Sequence, residues 1–402
     1  MLLRNEGDLL PLSPSTGHIA VLGPCADDVR LLQGDYHYPT HLEIIYRNSG
    51  TPAAEVLPRP EETGFTAGPF FPPSVTPLEG IRAAVSPQTR VEHARGCGVL
   101  STDDSEIPAA VEKAARADVA IVFVGGRSGL VEGCTSGEFR DAADLGLTGL
   151  QQRLVDEVLA TGTPTVVALI GGRAFAVPEI AARAPALLEC WIPGEEGGHA
   201  IADILFGSAC PSGRLPVTLV RHVGQVPLYY NRTWNEGSLL GLSGDYVDVP
   251  SSPLFPFGHG LSYTRFSYEA FKAERSGVTA GEAIRLSVEI GNEGDRGGEE
   301  VVQLYASDPV ASSTRPITQL VGFARVPLEA GRRCRIHFSV DPSQLAFFDR
   351  GMRLIVEPGE IRFAVGASSE DLRDRVSVQI QGEARTLRMP DIRPTDVQIE
   401  SI

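Results

Sequence analysis

Residues 118–144 read DVAIVFVGGRSGLVEGCTSGEFRDAAD, and two features of that stretch decide the fold. An unbroken apolar run, residues 119–124, opens after Asp118 and closes at Gly125 and Gly126. A short run without polar alternation, bounded by glycines, is the pattern of a strand buried on both faces. A second such run, residues 19–22, ends at Gly23 and Pro24. Between the two, Ile107, Val111 and Ala114 recur at helical spacing. Downstream, Leu150, Leu154, Val158 and Leu159 repeat that spacing until Gly162 and Pro164 stop the helix. Residues 166–170 and 187–192 then read as strands, with a short helix after Pro178 and another near 199–205. Strands alternating with helices of this length predict a mainly parallel sheet flanked by helices on both faces.

Beyond residue 216 the character changes. Residues 216–266 are rich in Pro, Gly, Tyr and Ser with no sustained period, which predicts an extended surface connection. Strict alternation follows: Ile284, Leu286, Val288 and Ile290 share one face, and Cys334, Ile336, Phe338 and Val340 repeat the pattern. Met352, Leu354 and Val356 are expected to pair with Ile361, Phe363 and Val365 across a hairpin turn at Pro358 and Gly359. Short half-buried strands with no helical stretch predict a β-sandwich of about 100 residues. The domain boundaries expected are 1–217 for the α/β sandwich, 218–270 for a linker, 271–373 for the β-sandwich and 374–402 for a polar tail packed along the surface.

The 402 residues carry 35 basic and 51 acidic side chains, a formal net charge of −16, which argues against a nucleic-acid partner because phosphate neutralisation needs a basic surplus. No run approaches the roughly 18 apolar residues of a membrane span, and Arg4, Glu6 and Asp8 occupy the place of a signal peptide's apolar core, so the chain as written is expected to be cytoplasmic with no membrane partner. The six cysteines show no CxxC pair and no nearby histidine at ligand spacing, so neither a zinc site nor a dense disulfide framework is expected. Of the two lysines, Lys113 and Lys272, neither sits in a phosphate-binding loop.

Chemistry is most concentrated in residues 125–144. Gly125, Gly126, Gly129, Gly133 and Gly137 let the backbone leave the end of a strand and reach outward, where open α/β sheets bind ligands. Glu132, Glu138, Asp141 and Asp144 lie on this arm among Arg127 and Arg140. A solvated glycine-rich connection is one reading. The other is that one carboxyl group is presented to a substrate as a general acid with an environment-raised pKa. The glycine spacing does not match GxGxxG, so a dinucleotide site is not expected. Glu195 and Glu196 before His199 read as acids complementing a helix N-terminus.

Several segments together resemble family 3 glycoside hydrolases of the bacterial β-glucosidase and β-xylosidase kind, in their C-terminal half. They are LLRNEGDLLPL (2–12), IAVLGPCAD (19–27), LLQGDY (31–36), WIPGEEGGHAIADILFG (191–207), PSGRLPVT (211–218), PLFPFGHGLSYTRF (253–266) and FFDRGMRLIVEPGEIRFAVGASS (347–369). The resemblance implies an α/β sandwich followed by a fibronectin type III-like domain. It also implies a retaining mechanism with two carboxylates about 5–5.5 Å apart. The nucleophile belongs to an N-terminal (β/α)8 barrel, and the acid/base glutamate follows Ser-Gly on a loop of the second domain. Here that setting is Ser136, Gly137, Glu138, Phe139, Arg140 and Asp141, which makes Glu138 the implied catalytic acid/base.

A barrel takes about 250 residues, and none is legible in this chain. The reading is therefore the acid/base-bearing part of an exo-acting β-glycosidase from a truncated, split or incompletely sequenced gene, inactive without its barrel. The expected substrates are terminal β-glucosyl or β-xylosyl units, with no metal or other cofactor. A separate barrel is an expected partner, and self-association is expected through the apolar face that the barrel would cover. The rival readings are a non-catalytic carbohydrate-binding or scaffolding protein of the same two folds, and an unrelated ligand-binding α/β protein.

Overall fold

The computed structural model describes residues 1–47, 72–233 and 245–402. They fall into two compact units, Met1–Ala209 with Arg221–Gly224, and Cys210–Val220 with Gln225–Ile402. Among the described residues no helix is long and apolar enough to cross a membrane.

The first unit runs β1 (Leu2–Asn5), β2 (His18–Leu22), α1 (Tyr38–Arg47), α2 (Pro77–Ala84), β3 (Arg90–Ala94), α3 (Ile107–Arg116), β4 (Val119–Gly125), α4 (Gln151–Ala160), β5 (Thr165–Ile170), α5 (Pro178–Arg183), β6 (Ala186–Trp191) and α6 (Gly197–Leu205). Its six-stranded sheet has the order β1-β6-β5-β4-β2-β3, parallel throughout except for the antiparallel edge strand β1. Every residue of β4 and β5 is buried, the environment that their uninterrupted Val, Ala and Ile runs call for. From β2 the chain crosses outward to β3, then returns past β2 to β4 and continues through β5 to β6. Right-handed crossovers place α3, α4 and α5 on one face and α2 on the other, where it packs against α6. The winding therefore reverses between β2 and β4. A crevice opens beyond the carboxyl ends of the strands at such a reversal, and this is where doubly wound sheets hold ligands.

One buried acid in this sheet makes the fold sensitive to pH. Glu189 in β6 is fully buried, with its Oε1 accepting from the Trp191 N–H at 3.0 Å. Burial pushes its pKa from 4.5 up to about 8, against the lowering effect of that N–H. The folded state thus binds a proton between pH 4.5 and 8 that the unfolded chain has released, so stability falls as pH rises through this window. Glu189→Gln is expected to remove that decline, measured as the difference in denaturation midpoint between pH 5 and pH 8.5.

The second unit contains β7 (Phe266–Ala273), β8 (Gly277–Thr279), β9 (Ile284–Asn292), β10 (Gly298–Ser307), β11 (Gln319–Leu328), β12 (Arg333–Val340), β13 (Phe347–Phe348), β14 (Leu354–Val356), β15 (Gly359–Gly366), β16 (Leu372–Gln381), β17 (Arg385–Leu387) and β18 (Asp396–Ser401). Sheets of order β11-β10-β15-β16-β8 and β18-β12-β9-β7 enclose one core, with a small β13-β14-β17 sheet beside them. The alternating residues of β9 and β12 read from the sequence, from Ile284 to Ile290 and from Cys334 to Val340, form the inner face. The α/β sandwich followed by an all-β sandwich is thus the architecture found.

Three local expectations are corrected. The hairpin at Pro358 and Gly359 does not form, because β14 pairs with β13 and β17 while β15 pairs with β10 and β16. Leu354, Ile355 and Val356 are buried in succession rather than alternately, and Pro358 has no N–H for a hairpin ladder. Residues 374–402 are not a surface tail, since most of β16 and all of β17 and β18 lie there and Val378, Ile380 and Leu387 are buried. Arg375, Ser377 and Gln379 on the solvent face of β16, and the largely exposed β18, make the segment look polar. Finally, the connection expected over 218–270 ends earlier, at the start of β7, and Cys210–Val220 already belongs to the second unit.

Candidate active site

Two loops meet at the reversal between β2 and β4. The first leaves β2 through a short 3-10 turn at Val29–Leu32, whose cap Asp28 accepts from the Arg30 N–H at 2.9 Å, and delivers Asp35 and Tyr36 just before α1. The second leaves β4 at Gly125, whose N–H and C=O are both held at 2.8 Å by the side-chain amide of Gln151, the first residue of α4. It folds back on itself: the Gly129 N–H donates to the Ser136 carbonyl at 2.9 Å, and the Thr135 N–H to the Arg127 carbonyl at 2.8 Å. Arg140 adds two donors to the Leu130 carbonyl, Nε at 3.0 Å and Nη2 at 2.9 Å. The glycine density seen in the sequence therefore builds a pinned excursion, not a free connection.

Beneath the loops lies a charged anchor. Glu43 of α1 is fully buried and accepts from Arg30 Nε and Nη2 at 2.7 and 2.9 Å and from Arg127 Nη2 at 2.8 Å. Burial alone would raise its pKa, but the two guanidinium groups outweigh burial and hold the carboxyl below its ordinary value. Arg30 Nη2 also donates to the Ser128 carbonyl at 2.7 Å, so the ion pair and the arm's base form one network.

Glu138 sits at the tip. Its N–H donates to Asp35 Oδ2 at 2.8 Å, and its Oε2 accepts from the Tyr36 hydroxyl at 2.8 Å. The carboxylate faces solvent, flanked by Tyr36 (75% exposed) and Phe139 (80% exposed), two large hydrophobic side chains that a covering surface would bury. The described residues leave the Glu138 side chain exposed. Gly137 makes the approach feasible. It has φ of +123°, and a Cβ there would lie 2.4 Å from the Gly129 carbonyl and 2.9 Å from Asp35 Oδ2. Gly137→Ala is expected to lift the arm off Asp35 at a cost of about 1–3 kcal/mol. Faster hydrogen exchange at the Glu138 amide, with the melting of the sheet little changed, is the measurement that checks it.

The other loop acids, Glu132, Asp141 and Asp144, are exposed, and Asp35 and Tyr36 of the first loop both bond to Glu138. Asp35 and Tyr36 had no place in the sequence-based site, because they lie 103 and 102 residues before Glu138 and no spacing rule links them. The available signal was the placement of LLQGDY directly after β2, on the other side of the reversal. Elsewhere, Glu196 occupies the cap position of α6 without a side-chain cap bond and instead meets His199 Nδ1 at 2.7 Å. The six cysteines are free thiols, and burial pushes Cys97 up to about 11 and Cys190 up to about 12, which disfavours the thiolate of these two. A hollow of about 620 Å³ on the second unit, between Lys272, Arg285, His337 and Asp396, includes none of the expected site residues.

Comparison with known proteins bears on what this arrangement does. The glycosyl hydrolase family 3 C-terminal domain matches residues 1–263, and the fibronectin type III-like domain matches residues 300–369. A β-xylosidase of Formosa agariphila is 34% identical over 372 residues, which cover 92% of this chain and 47% of that protein. A periplasmic β-glucosidase of Salmonella typhimurium is 32% identical over 394 residues, with the same two coverages of 92% and 47%. Among solved structures, a β-glucosidase of Erythrobacter marinus superposes with a TM-score of 0.76 at 37% identity, covering 94% of this chain and 49% of that one. A β-glucosidase of Listeria innocua in complex with isofagomine gives 0.78 at 29% identity, covering 95% and 48%. The chain spans about half the length of the relatives it matches.

Proposed function

The chain belongs to glycosyl hydrolase family 3, and from that premise we propose that it supplies the acid/base half of a retaining, exo-acting β-glycosidase. The observation that carries the reading is the arm itself: a carboxylate held out from a topological reversal by a backbone grip from Asp35 and a side-chain grip from Tyr36. Glu138 is the proposed acid/base. In the first step its carboxyl proton passes to the glycosidic oxygen as a nucleophilic carboxylate attacks the anomeric carbon and the aglycone leaves. In the second, the Glu138 carboxylate takes a proton from the water that breaks the glycosyl-enzyme bond, which restores both groups. The nucleophile comes from the half of the relatives' length that these 402 residues do not span. We propose that it lies on a (β/α)8 barrel, whose face would also cover Tyr36, Phe139 and Glu138. Substrates are proposed to be terminal β-glucosyl or β-xylosyl units, in keeping with the names of the relatives.

The test is complementation. The 402-residue chain alone is expected to leave nitrophenyl β-glucoside and β-xyloside intact, and to support turnover when a family barrel is joined ahead of it or added in trans. Hydrolysis by the chain alone would count against a divided active site. Tight sugar binding by the chain alone, with no turnover in the joined protein, would favour the carbohydrate-binding alternative.

A further inference from the structure

The LLQGDY segment has a second role that follows from its geometry, given the acid/base reading of Glu138. We infer that Tyr36 is a positioning residue that fixes the Glu138 carboxylate and selects which of its oxygens carries the transferable proton. Glu138 stands on a backbone that twists through two left-handed residues, Gly137 at φ +123° and Phe139 at φ +60°, and its side chain is exposed. A glutamate in that position has three rotatable bonds and, without a lateral contact, would sample many directions. Consecutive residues of the opposite loop prevent this. Asp35 Oδ2 takes the Glu138 N–H and Tyr36 donates to Glu138 Oε2, each at 2.8 Å. The pair is itself braced by α1, where His41 Nδ1 lies 2.8 Å from the Asp35 carbonyl and the His41 ring packs 5.4 Å from that of Tyr36.

The chemistry of the two oxygens gives this contact its meaning. A phenol hydroxyl donates to a carboxylate oxygen and equally to the carbonyl oxygen of a protonated carboxyl group. Tyr36 therefore satisfies Oε2 in both protonation states, so the proton resides on Oε1, which takes no hydrogen bond from the described residues around it. A double displacement needs one group to give a proton and later take one back at the same place. A neutral donor that holds the second oxygen throughout meets that need without adding a titrating charge. The Tyr36 phenol is in turn held protonated above its ordinary value, first by its hydrogen bond to Glu138, with the charges of Glu138 and Asp35 adding to it. Among the described residues, these carboxylates and His41 are the titratable groups set against the ring.

Two measurements test the inference and separate it from the reading it rests on. In the protein joined to its barrel, Tyr36→Phe keeps the ring against His41 and removes only the hydroxyl. Its kcat/KM is expected to fall about tenfold on an alkyl β-glycoside, which needs protonation of the leaving group, and to stay within about twofold on a dinitrophenyl glycoside, which does not. Equal losses on both substrates, or none on either, overturn the positioning role when Glu138→Gln remains selective for the alkyl substrate. If Glu138→Gln is itself unselective, the acid/base reading is overturned and Tyr36 has nothing to position. In the 402-residue chain alone, tyrosine-ring NMR follows the phenol directly among its nine tyrosines. Glu138→Gln is expected to lower the titration point of the one resonance that Tyr36→Phe deletes, and an unchanged titration point overturns the contact.

Discussion

Replacing Glu138 with glutamine in the barrel-joined protein is expected to lower kcat/KM on alkyl β-glycosides by about 10²–10⁴-fold, the usual contribution of a positioned general acid. Glutamine keeps the acceptor for Tyr36 and the backbone grip of Asp35, so the arm should stay in place while its transferable proton is lost. The loss is expected to shrink on a dinitrophenyl glycoside, whose leaving group departs as an anion. Deglycosylation then becomes slow, because the same residue must activate water, and a burst of released phenol followed by a low steady state is the expected trace. Steady-state sugar release from the alkyl glycoside and stopped-flow absorbance on the dinitrophenyl glycoside check both statements. A uniform loss on both would assign Glu138 to substrate binding.

The second large effect is on stability. Glu43→Ala is expected to cost the first unit about 3–5 kcal/mol, because it leaves Arg30 as a buried cation and Arg127 as a partly buried one without their shared partner. For a unit of this size that corresponds to a fall in Tm of about 6–20 °C by calorimetry. The damage should reach the arm, since Arg30 also holds the Ser128 carbonyl at its base. The pH dependence has a definite sign. The folded carboxyl titrates below its ordinary 4.5, so its stabilisation is complete above that value and is lost as pH falls through the depressed folded value. Glu43→Gln should lack this acid-side loss, and its Tm difference from the unaltered chain should narrow as the pH is lowered.

How far the sequence reveals this site depends on which contacts are local. Buried strands β4 and β5 and the helices around them are legible because burial on both faces leaves an unbroken apolar run, and β9 and β12 because burial on one face leaves alternation. The same rule misleads at β14, where three successive buried residues belong to a small separate sheet, and at β16 to β18, whose exposed residues imitate a tail. The glycine-rich arm is legible as a place where chemistry is carried. Which of its four acids matters is not, because composition treats Glu132, Glu138, Asp141 and Asp144 alike; only the Ser-Gly-Glu setting singles one out by resemblance. Asp35, Tyr36 and Glu43 are invisible to any local reading, as they reach the arm only after the sheet has placed β2 beside β4.

The most direct measurement is made on Glu138→Ala in the barrel-joined protein with azide added. With the carboxylate removed, a small anion can enter the vacated space and attack the glycosyl-enzyme without needing base catalysis. The expected result is azide-dependent recovery of turnover on a dinitrophenyl β-glycoside, with the product a β-glycosyl azide, since two displacements retain configuration. No recovery, or an α-glycosyl azide, would contradict the assignment of Glu138 as the acid/base.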